Sequence, residues 1–190
     1  HGTPSGVDNT AVVYGGWLKF QKPDHLTRLK KLNFPQVVLI NTGQPQETTA
    51  QMVDYVAHRK SPPWRQIADC PNIIINILTS PSPHFNQLNS TLHTNEVLLE
   101  QFGVVSPSSK NLIRTIEQSG GVAKICGAGG KTQASGILLC LHRHPTQLIK
   151  LAQKLKLQYF YPVTLGVPGI SLRTQSILHP QTPAAAATPR

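Results

Sequence analysis

A glycine-rich stretch, KICGAGG at residues 124–130, most constrains how this chain can fold. It lies between two apolar segments, 122–126 and 136–142, each typical of a strand. The chain must therefore leave one strand, pass through a loop with few side chains and enter another. The N–H groups of such a loop can turn toward a phosphate and form a concave nest, and the glycines that allow this are Gly127, Gly129 and Gly130.

The start of the chain carries a second glycine-punctuated stretch, HGTPSGVDN at residues 1–9. It places an acid, Asp8, three residues after Ser5, in a loop whose glycines and proline suit a close approach to a ligand. An acid and an anion-binding loop together indicate a phosphoryl-transfer site. Because the chain starts inside this motif and without methionine, we expect it to be the C-terminal portion of a longer protein or a trimmed product.

Composition predicts a folded domain with a basic surface. The 190 residues are 39% hydrophobic and carry a formal net charge of +10. The basic residues are scattered and aromatic residues are only 6% of the chain, so neither a basic tract nor a base-stacking platform is evident. We therefore predict small anionic substrates and no nucleic-acid partner.

Cysteine usage favours a reducing, cytoplasmic compartment. Cys70, Cys126 and Cys140 are widely spaced and form no CxxC pair, so neither a disulfide framework nor a zinc site is predicted. His142 and His144 could share one face of a strand as metal ligands, but solvated side chains at a strand end are the simpler interpretation. No apolar run reaches the roughly 20 residues needed to cross a bilayer, so no membrane partner is predicted.

Hydrophobic periodicity predicts helices and strands in alternating groups. The apolar run within 64–80 fits a strand or a helix entered at Pro71, and we favour the helix. The clearer helices are 47–60, 88–102, 106–120 and 145–157, and the strands are 11–20, 35–43, 122–126, 136–142, 158–163 and 169–174. Strands that bracket paired helices without strict alternation predict an α+β fold, a largely antiparallel sheet with helices packed on one face.

Two common catalytic motifs, the P-loop and the serine elbow, are not matched by this sequence. Gly130-Lys131-Thr132 resembles the end of a P-loop, but that pattern requires a glycine where this chain has Ile125. A G-x-S-x-G serine elbow is absent around Ser5. The sequence therefore argues against a Walker-type ATPase and gives no support to a hydrolase.

Four segments taken together carry a resemblance to a known family. TPSGVDN, NTG, KICGAGG and GVPGIS occur in the order and approximate spacing found in the C-terminal half of the mevalonate kinases, members of the GHMP kinase family, and the resemblance spans residues 1–178. It implies the end of the N-terminal kinase domain over 1–32 and a GHMP kinase C-terminal domain, a ferredoxin-like sandwich, over 33–178. Residues 179–190 are a Pro/Ala-rich segment expected to be a disordered tail.

The resemblance also implies roles for individual residues. Asp8 matches the family's catalytic aspartate, which would orient or deprotonate the substrate hydroxyl as it attacks the γ-phosphoryl group of ATP. Ser5 matches a serine near the active site, and Thr42 a threonine near the aspartate, although a strand-end cap explains Thr42 equally well. The third family motif, which lines the site and supports the phosphate loop and the substrate, matches Gly127, Ala128, Gly129 and Gly130.

The activity implied is phosphorylation of the 5-hydroxyl of mevalonate by ATP with Mg²⁺, in the synthesis of isoprenoid precursors. The ATP phosphate loop, the lysine partner of the aspartate and the acid that binds Mg²⁺ would lie N-terminal to His1. We therefore expect no metal ligand in this chain, little activity from it alone, and the missing half as its partner. A surface left uncovered by that half would favour self-association, for example as a homodimer.

Two alternatives and one departure stay open. Another GHMP kinase, acting on phosphomevalonate or a sugar, fits the same motifs, and so does a non-catalytic binding module on this scaffold. The family continues its loop with more glycines, whereas KTQAS follows here at 131–135. Lys131 could offer a cation to phosphate, although a solvated loop lysine is the simpler interpretation.

Overall fold

The structure, a computed structural model, describes residues 5–21, 25–30, 32, 34–60, 62–82 and 84–171. The helices in this part of the chain are α1 (Val7–Tyr14), α2 (Thr49–Ala57), α3 (Trp64–Thr79), α4 (Phe85–Phe102), α5 (Pro107–Gln118) and α6 (Pro145–Lys154). The strands are β1 (Trp17–Gln21), β2 (His25–Leu29), β3 (Val37–Asn41), β4 (Val122–Ile125), β5 (Ile137–Leu141) and β6 (Phe160–Val163). The predicted tail, 179–190, lies outside the described residues.

The main sheet has the strand order β4-β5-β3-β6, and each neighbouring pair is antiparallel. Its register places Val38 opposite Cys140 and Ile40 opposite Leu138. Strands β1 and β2 form a separate antiparallel hairpin. The predicted α+β fold with a largely antiparallel sheet is confirmed.

Both faces of the main sheet are buried, because successive residues of a strand point to opposite sides. On one face, Val38 and Ile40 pack with Ile113 of α5 and Leu148 of α6. On the other face, Val37 packs with residues of α3 and α4, which are Ile77, Leu78, Leu88 and Leu92. Helices therefore pack on both faces of the sheet: α5 and α6 on one face, and parts of α3 and α4 on the other.

The predicted strand 11–20 is wrong in its first half, because this segment continues helix α1 as far as Tyr14. Gly6, at φ 79°, precedes the helix, and the Ser5 hydroxyl accepts a hydrogen bond from the first helical N–H. Gly15, at φ 56°, ends it. The β-branched residues of this segment favour a strand by propensity, but the glycines at both ends set the helix boundaries.

The polar stretch after α1 holds a hairpin that periodicity did not predict. Trp17 of β1 pairs with Leu29 of β2, and its ring stacks on Phe34 with the ring centroids 5.5 Å apart. Of the predicted strand 169–174, the described residues 169–171 are not in a strand, and an isolated bridge pairs Gly15 with Pro168.

The predicted helices are confirmed, and two of them, α2 and α5, have side-chain caps at their first turns. The Thr48 hydroxyl accepts a hydrogen bond from the Gln51 N–H, while the Gln51 side chain accepts one from the Thr48 N–H. In α5 the Ser106 hydroxyl accepts a hydrogen bond from the Ser109 N–H, and Pro107 is the first helical residue. These caps place the starts of α2 and α5 beside the glycine loop.

The ambiguous run within 64–80 is helical, as we favoured. The helix begins at Trp64 rather than at Pro71, which lies inside it. Proline removes one backbone hydrogen bond from a helix interior, and burial of Cys70 and of Ile77 and Leu78 in the core stabilises the helix around it.

Candidate active site

The glycine loop joins β4 to β5 and runs against Val104, in the connection between α4 and α5. The Gly130 N–H donates a hydrogen bond to the Val104 carbonyl oxygen at 2.9 Å. Gly129 has φ 75°, and a Cβ at this position would overlap the same oxygen. A Cβ at Gly130 would overlap the Ala134 carbonyl oxygen. The backbone can pack this closely only with glycine at these two positions.

Gly127 has a different environment. Its φ is 79°, but a Cβ there would meet nothing within 4 Å. Gly127 and Ala128 instead border an open apolar groove of about 360 Å³, whose wall includes Met52, Val56, Trp64, Leu99 and Phe102. This side of the loop is therefore the one that is open to a ligand.

The anion nest expected at the loop is smaller than its glycine content suggests. The Gly130 N–H is bonded to Val104, and the Lys131 N–H donates to the Glu47 carboxylate at 3.1 Å. A phosphate at this loop would have only the N–H groups of residues 127–129 to bind. The loop alone therefore offers a weak phosphate site.

Thr42 joins the end of β3 to the start of β5. Its hydroxyl donates a hydrogen bond to the Gly136 carbonyl oxygen at 2.8 Å and accepts one from the Ser135 N–H at 3.1 Å. The only proton of the hydroxyl is thus engaged, and one lone pair remains for a substrate. The geometry accounts for Thr42 as a strand-end residue, and its predicted contact with substrate stays a prediction.

Asp8 lies in the first turn of α1, and its side chain is exposed. Ser5, also exposed, uses its hydroxyl to cap the same helix. Among the described residues, no hydrogen bond or ion pair joins Asp8 to Thr42 or to the glycine loop. Asp8 and Ser5 therefore lie at the start of α1, Thr42 and the glycine loop lie at one end of the main sheet, and the roles of all of them stay predictions.

Sequence analysis missed Glu96, a buried acid of α4 that lies against β4. It is fully buried, and its carboxylate accepts a hydrogen bond from the Ile125 N–H at 2.9 Å. Its second oxygen has no partner in the described part of the chain. Burial raises the pKa of Glu96 from 4.5 to about 7, against the opposing effects of the Ile125 hydrogen bond and of Lys124. Glu96 thus anchors the strand end from which the glycine loop departs.

Replacing Glu96 with glutamine is expected to stabilise the fold at high pH. A carboxyl whose pKa is raised by folding stabilises the native state below pH 4.5, and this contribution is lost as pH rises through about 7. Glutamine keeps the acceptor for Ile125 and cannot ionise. Urea unfolding at pH 8 should show a gain of up to about 3 kcal/mol for Glu96→Gln, and none near pH 4.

The exposed Asp69→Asn is the matched control for Glu96→Gln and should leave the free energy of unfolding nearly unchanged at both pH values. Equal unfolding free energies for the wild type and Glu96→Gln at pH 8 would show that the buried carboxyl ionises without cost.

The described residues contain neither a cluster of metal-ligating side chains nor a helix that could span a membrane. No three His, Cys, Asp or Glu side chains of those residues come together as metal ligands. None of the helices formed by those residues is long and apolar enough to cross a bilayer.

The chain is similar in sequence to curated mevalonate kinases. No protein-family model matches the chain. The mevalonate kinase of Schizosaccharomyces pombe is 31% identical over 193 residues, which cover 93% of this chain and 47% of that protein. The mevalonate kinase of Bos taurus is 28% identical over 193 residues, which cover 94% of this chain and 48% of that protein. Over nearly its whole length, the chain is similar to mevalonate kinases.

A solved structure shows that the fold agrees with this family. The crystal structure of L. major mevalonate kinase in complex with R-mevalonate superposes with a TM-score of 0.69 at 24% identity, covering 90% of this chain and 55% of that chain. The chain spans about half the length of the curated mevalonate kinases it matches. This extent agrees with the prediction that it corresponds to one half of a GHMP kinase.

Proposed function

We propose that this chain forms the C-terminal half of an ATP-dependent kinase that phosphorylates the 5-hydroxyl of mevalonate. The observation that carries the proposal is the sequence match to mevalonate kinases over 93% of the chain. The acidic motif around Asp8, the NTG turn and the glycine loop occur in the order found in that family.

In this proposal Asp8 orients or deprotonates the acceptor hydroxyl, and ATP supplies the γ-phosphoryl group that the hydroxyl attacks. An exposed carboxylate at the start of α1 is accessible to a substrate bound against that helix. The glycine loop borders the site with its open side at Gly127 and Ala128. Because its nest is small, most of the phosphate binding is assigned to the half of the kinase that this chain lacks.

The Mg²⁺ ligands are assigned to the same missing half. Among the described residues, no three His, Cys, Asp or Glu side chains come together as metal ligands. No step is assigned to Mg²⁺ on the residues of this chain.

Helix α1 is the surface that we expect the other half to cover. None of its residues is buried, and Val12 and Val13 are 58% and 55% exposed. Isolated helices of this length are marginal in water, so α1 needs packing from elsewhere. Without the other half, the same valines favour self-association.

The compartment proposed is the cytoplasm, where the product would enter isoprenoid precursor synthesis. Cys70, Cys126 and Cys140 are all free thiols, which agrees with a reducing environment.

The proposal is tested by ATP-dependent turnover of the complete gene product. ADP release is measured with R-mevalonate, phosphomevalonate and a hexose at equal concentrations. Selective turnover of mevalonate supports the proposal, and preference for phosphomevalonate or the hexose assigns another GHMP kinase activity. No turnover of any alcohol, together with salt-dependent RNA binding, would favour the non-catalytic module.

A further inference from the structure

The segment that follows the glycine loop, residues 131–133, is held by hydrogen bonds to Glu47, just before α2. Lys131, Thr132 and Gln133 are exposed residues. Exposed loop residues of this kind are usually mobile unless side chains hold them. Here the Glu47 carboxylate holds two of them.

Glu47 binds the segment with both carboxylate oxygens. Oε2 accepts a hydrogen bond from the Lys131 N–H at 3.1 Å. Oε1 lies 3.1 Å from the Thr132 hydroxyl, whose single proton is shared between this oxygen and Gln46 Oε1 at 3.0 Å. The Lys131 N–H lowers the pKa of Glu47, so the carboxyl is ionised at neutral pH. Hydrogen bonds to an ionised acceptor are about twice as strong as neutral ones.

The Lys131 side chain is held by the same helix. Its ammonium lies 4.1 Å from the centre of the Tyr55 ring, in α2 and eight residues after Glu47. The ammonium is therefore engaged in a cation–π contact, although Lys131 as a whole stays exposed.

A second set of contacts holds the far end of the segment against α5. The Ser108 hydroxyl donates to the Gln133 carbonyl oxygen, and the buried Ser135 hydroxyl donates to the Gly130 carbonyl oxygen at 3.3 Å. Ser135 also accepts a hydrogen bond from the Ser106 N–H at 2.8 Å. The α5 contacts are built from neutral groups, whereas the α2 side holds the segment through the Glu47 carboxylate and the Lys131–Tyr55 contact.

We propose that Glu47 is a positioning residue of the glycine loop. By holding residues 131–133 against α2, it fixes the loop residues 127–130 in the arrangement that borders the open side of the site. The loop glycines increase the conformational freedom of this backbone, and the Glu47 contacts restrict part of that freedom. The expected effect of Glu47 on turnover rests on the proposed kinase function, whereas its expected effect on the loop rests on the contacts alone.

The test compares Glu47→Ala, Glu47→Gln and the control Asp54→Ala in the complete gene product. Asp54 lies on the same helix, is exposed and does not contact the loop. Amide hydrogen exchange is measured on peptides covering 127–133, and kcat and KM are measured with mevalonate and ATP. We expect Glu47→Ala to speed exchange in this segment about tenfold and to lower kcat/KM about tenfold.

Glu47→Gln separates positioning from a general loss of structure. Its amide oxygen keeps one neutral acceptor for Lys131 or Thr132, so exchange and kcat/KM should recover to values between those of the wild type and Glu47→Ala. Asp54→Ala should match the wild type in both. If Glu47→Ala fails to fold, Thr132→Val removes one of the two contacts and should speed exchange about threefold.

Two results would overturn the inference, and a third concerns the proposed function. Unchanged exchange at 127–133 in a folded Glu47→Ala protein would show that the carboxylate does not hold the loop. Faster exchange with unchanged kcat/KM would show that the held loop is not needed for turnover. A wild-type protein without kinase activity would refute the proposed function, while the exchange data would still decide whether Glu47 fastens the loop.

Discussion

Replacing Asp8 with asparagine is expected to lower kcat of the complete gene product by about 10²- to 10⁴-fold. Asparagine has the same shape but can neither accept a proton nor carry the charge that orients an attacking hydroxyl. KM should change little, because the substituted atoms act mainly as the transition state forms. Steady-state kinetics with mevalonate and ATP measure both quantities.

The fold should survive this substitution. The Asp8 side chain is exposed, and its charge in the first turn of α1 contributes about 0.3–1 kcal/mol through the helix dipole. The circular dichroism spectrum and the unfolding midpoint should therefore stay close to those of the wild type, and a loss of kcat can be read as a loss of chemistry.

Asp54→Asn is the control for charge alone. Its side chain is 74% exposed, it lies on α2 outside the family motifs, and its contact is with His58 one turn away. This variant should turn over at the wild-type rate. Near-normal kcat in Asp8→Asn would remove Asp8 from the mechanism, and the carboxylate that acts on the hydroxyl would then belong to the other half of the kinase.

Sequence patterns predicted the helices well where they carried both periodicity and a capping residue. In α5, the Ser106–Pro107 pair fixed the first turn and the apolar spacing placed Ile113 and Ile116 inward, as the structure shows. Helix α1 lacks such a stripe, and its run of valines favours a strand by propensity. Its ends depend on glycine conformations at Gly6 and Gly15 that the sequence does not reveal.

The candidate site was predictable only where a family motif names the residue. The glycine loop was found at the turn between β4 and β5, as its composition required. Glu47 is the first residue of the predicted helix 47–60, and its contacts with Lys131 and Thr132 could not be predicted because they join residues distant in sequence. An acid such as Glu96 on an amphipathic helix normally indicates a solvated position, so its burial against Ile125 had no signal in the periodicity.

Replacing Gly129 with alanine is expected to lower the free energy of unfolding by about 2–5 kcal/mol. Two costs combine at this position. The left-handed conformation, at φ 75°, costs a residue with a Cβ about 1–2 kcal/mol. The methyl group would also overlap the Val104 carbonyl oxygen, which is held by the Gly130 N–H and cannot withdraw without losing that hydrogen bond. Urea unfolding of the chain measures the loss.

Gly127→Ala separates these two costs, because Gly127 shares the left-handed conformation, at φ 79°, but faces open space. We expect it to lose only about 1–2 kcal/mol, the conformational part alone. Equal losses in the two variants would show that Val104 moves aside freely and that packing does not require glycine at 129. The methyl group at position 127 would instead stand on the open side of the loop. Gly127→Ala should therefore change turnover more than stability, whereas Gly129→Ala should change stability first.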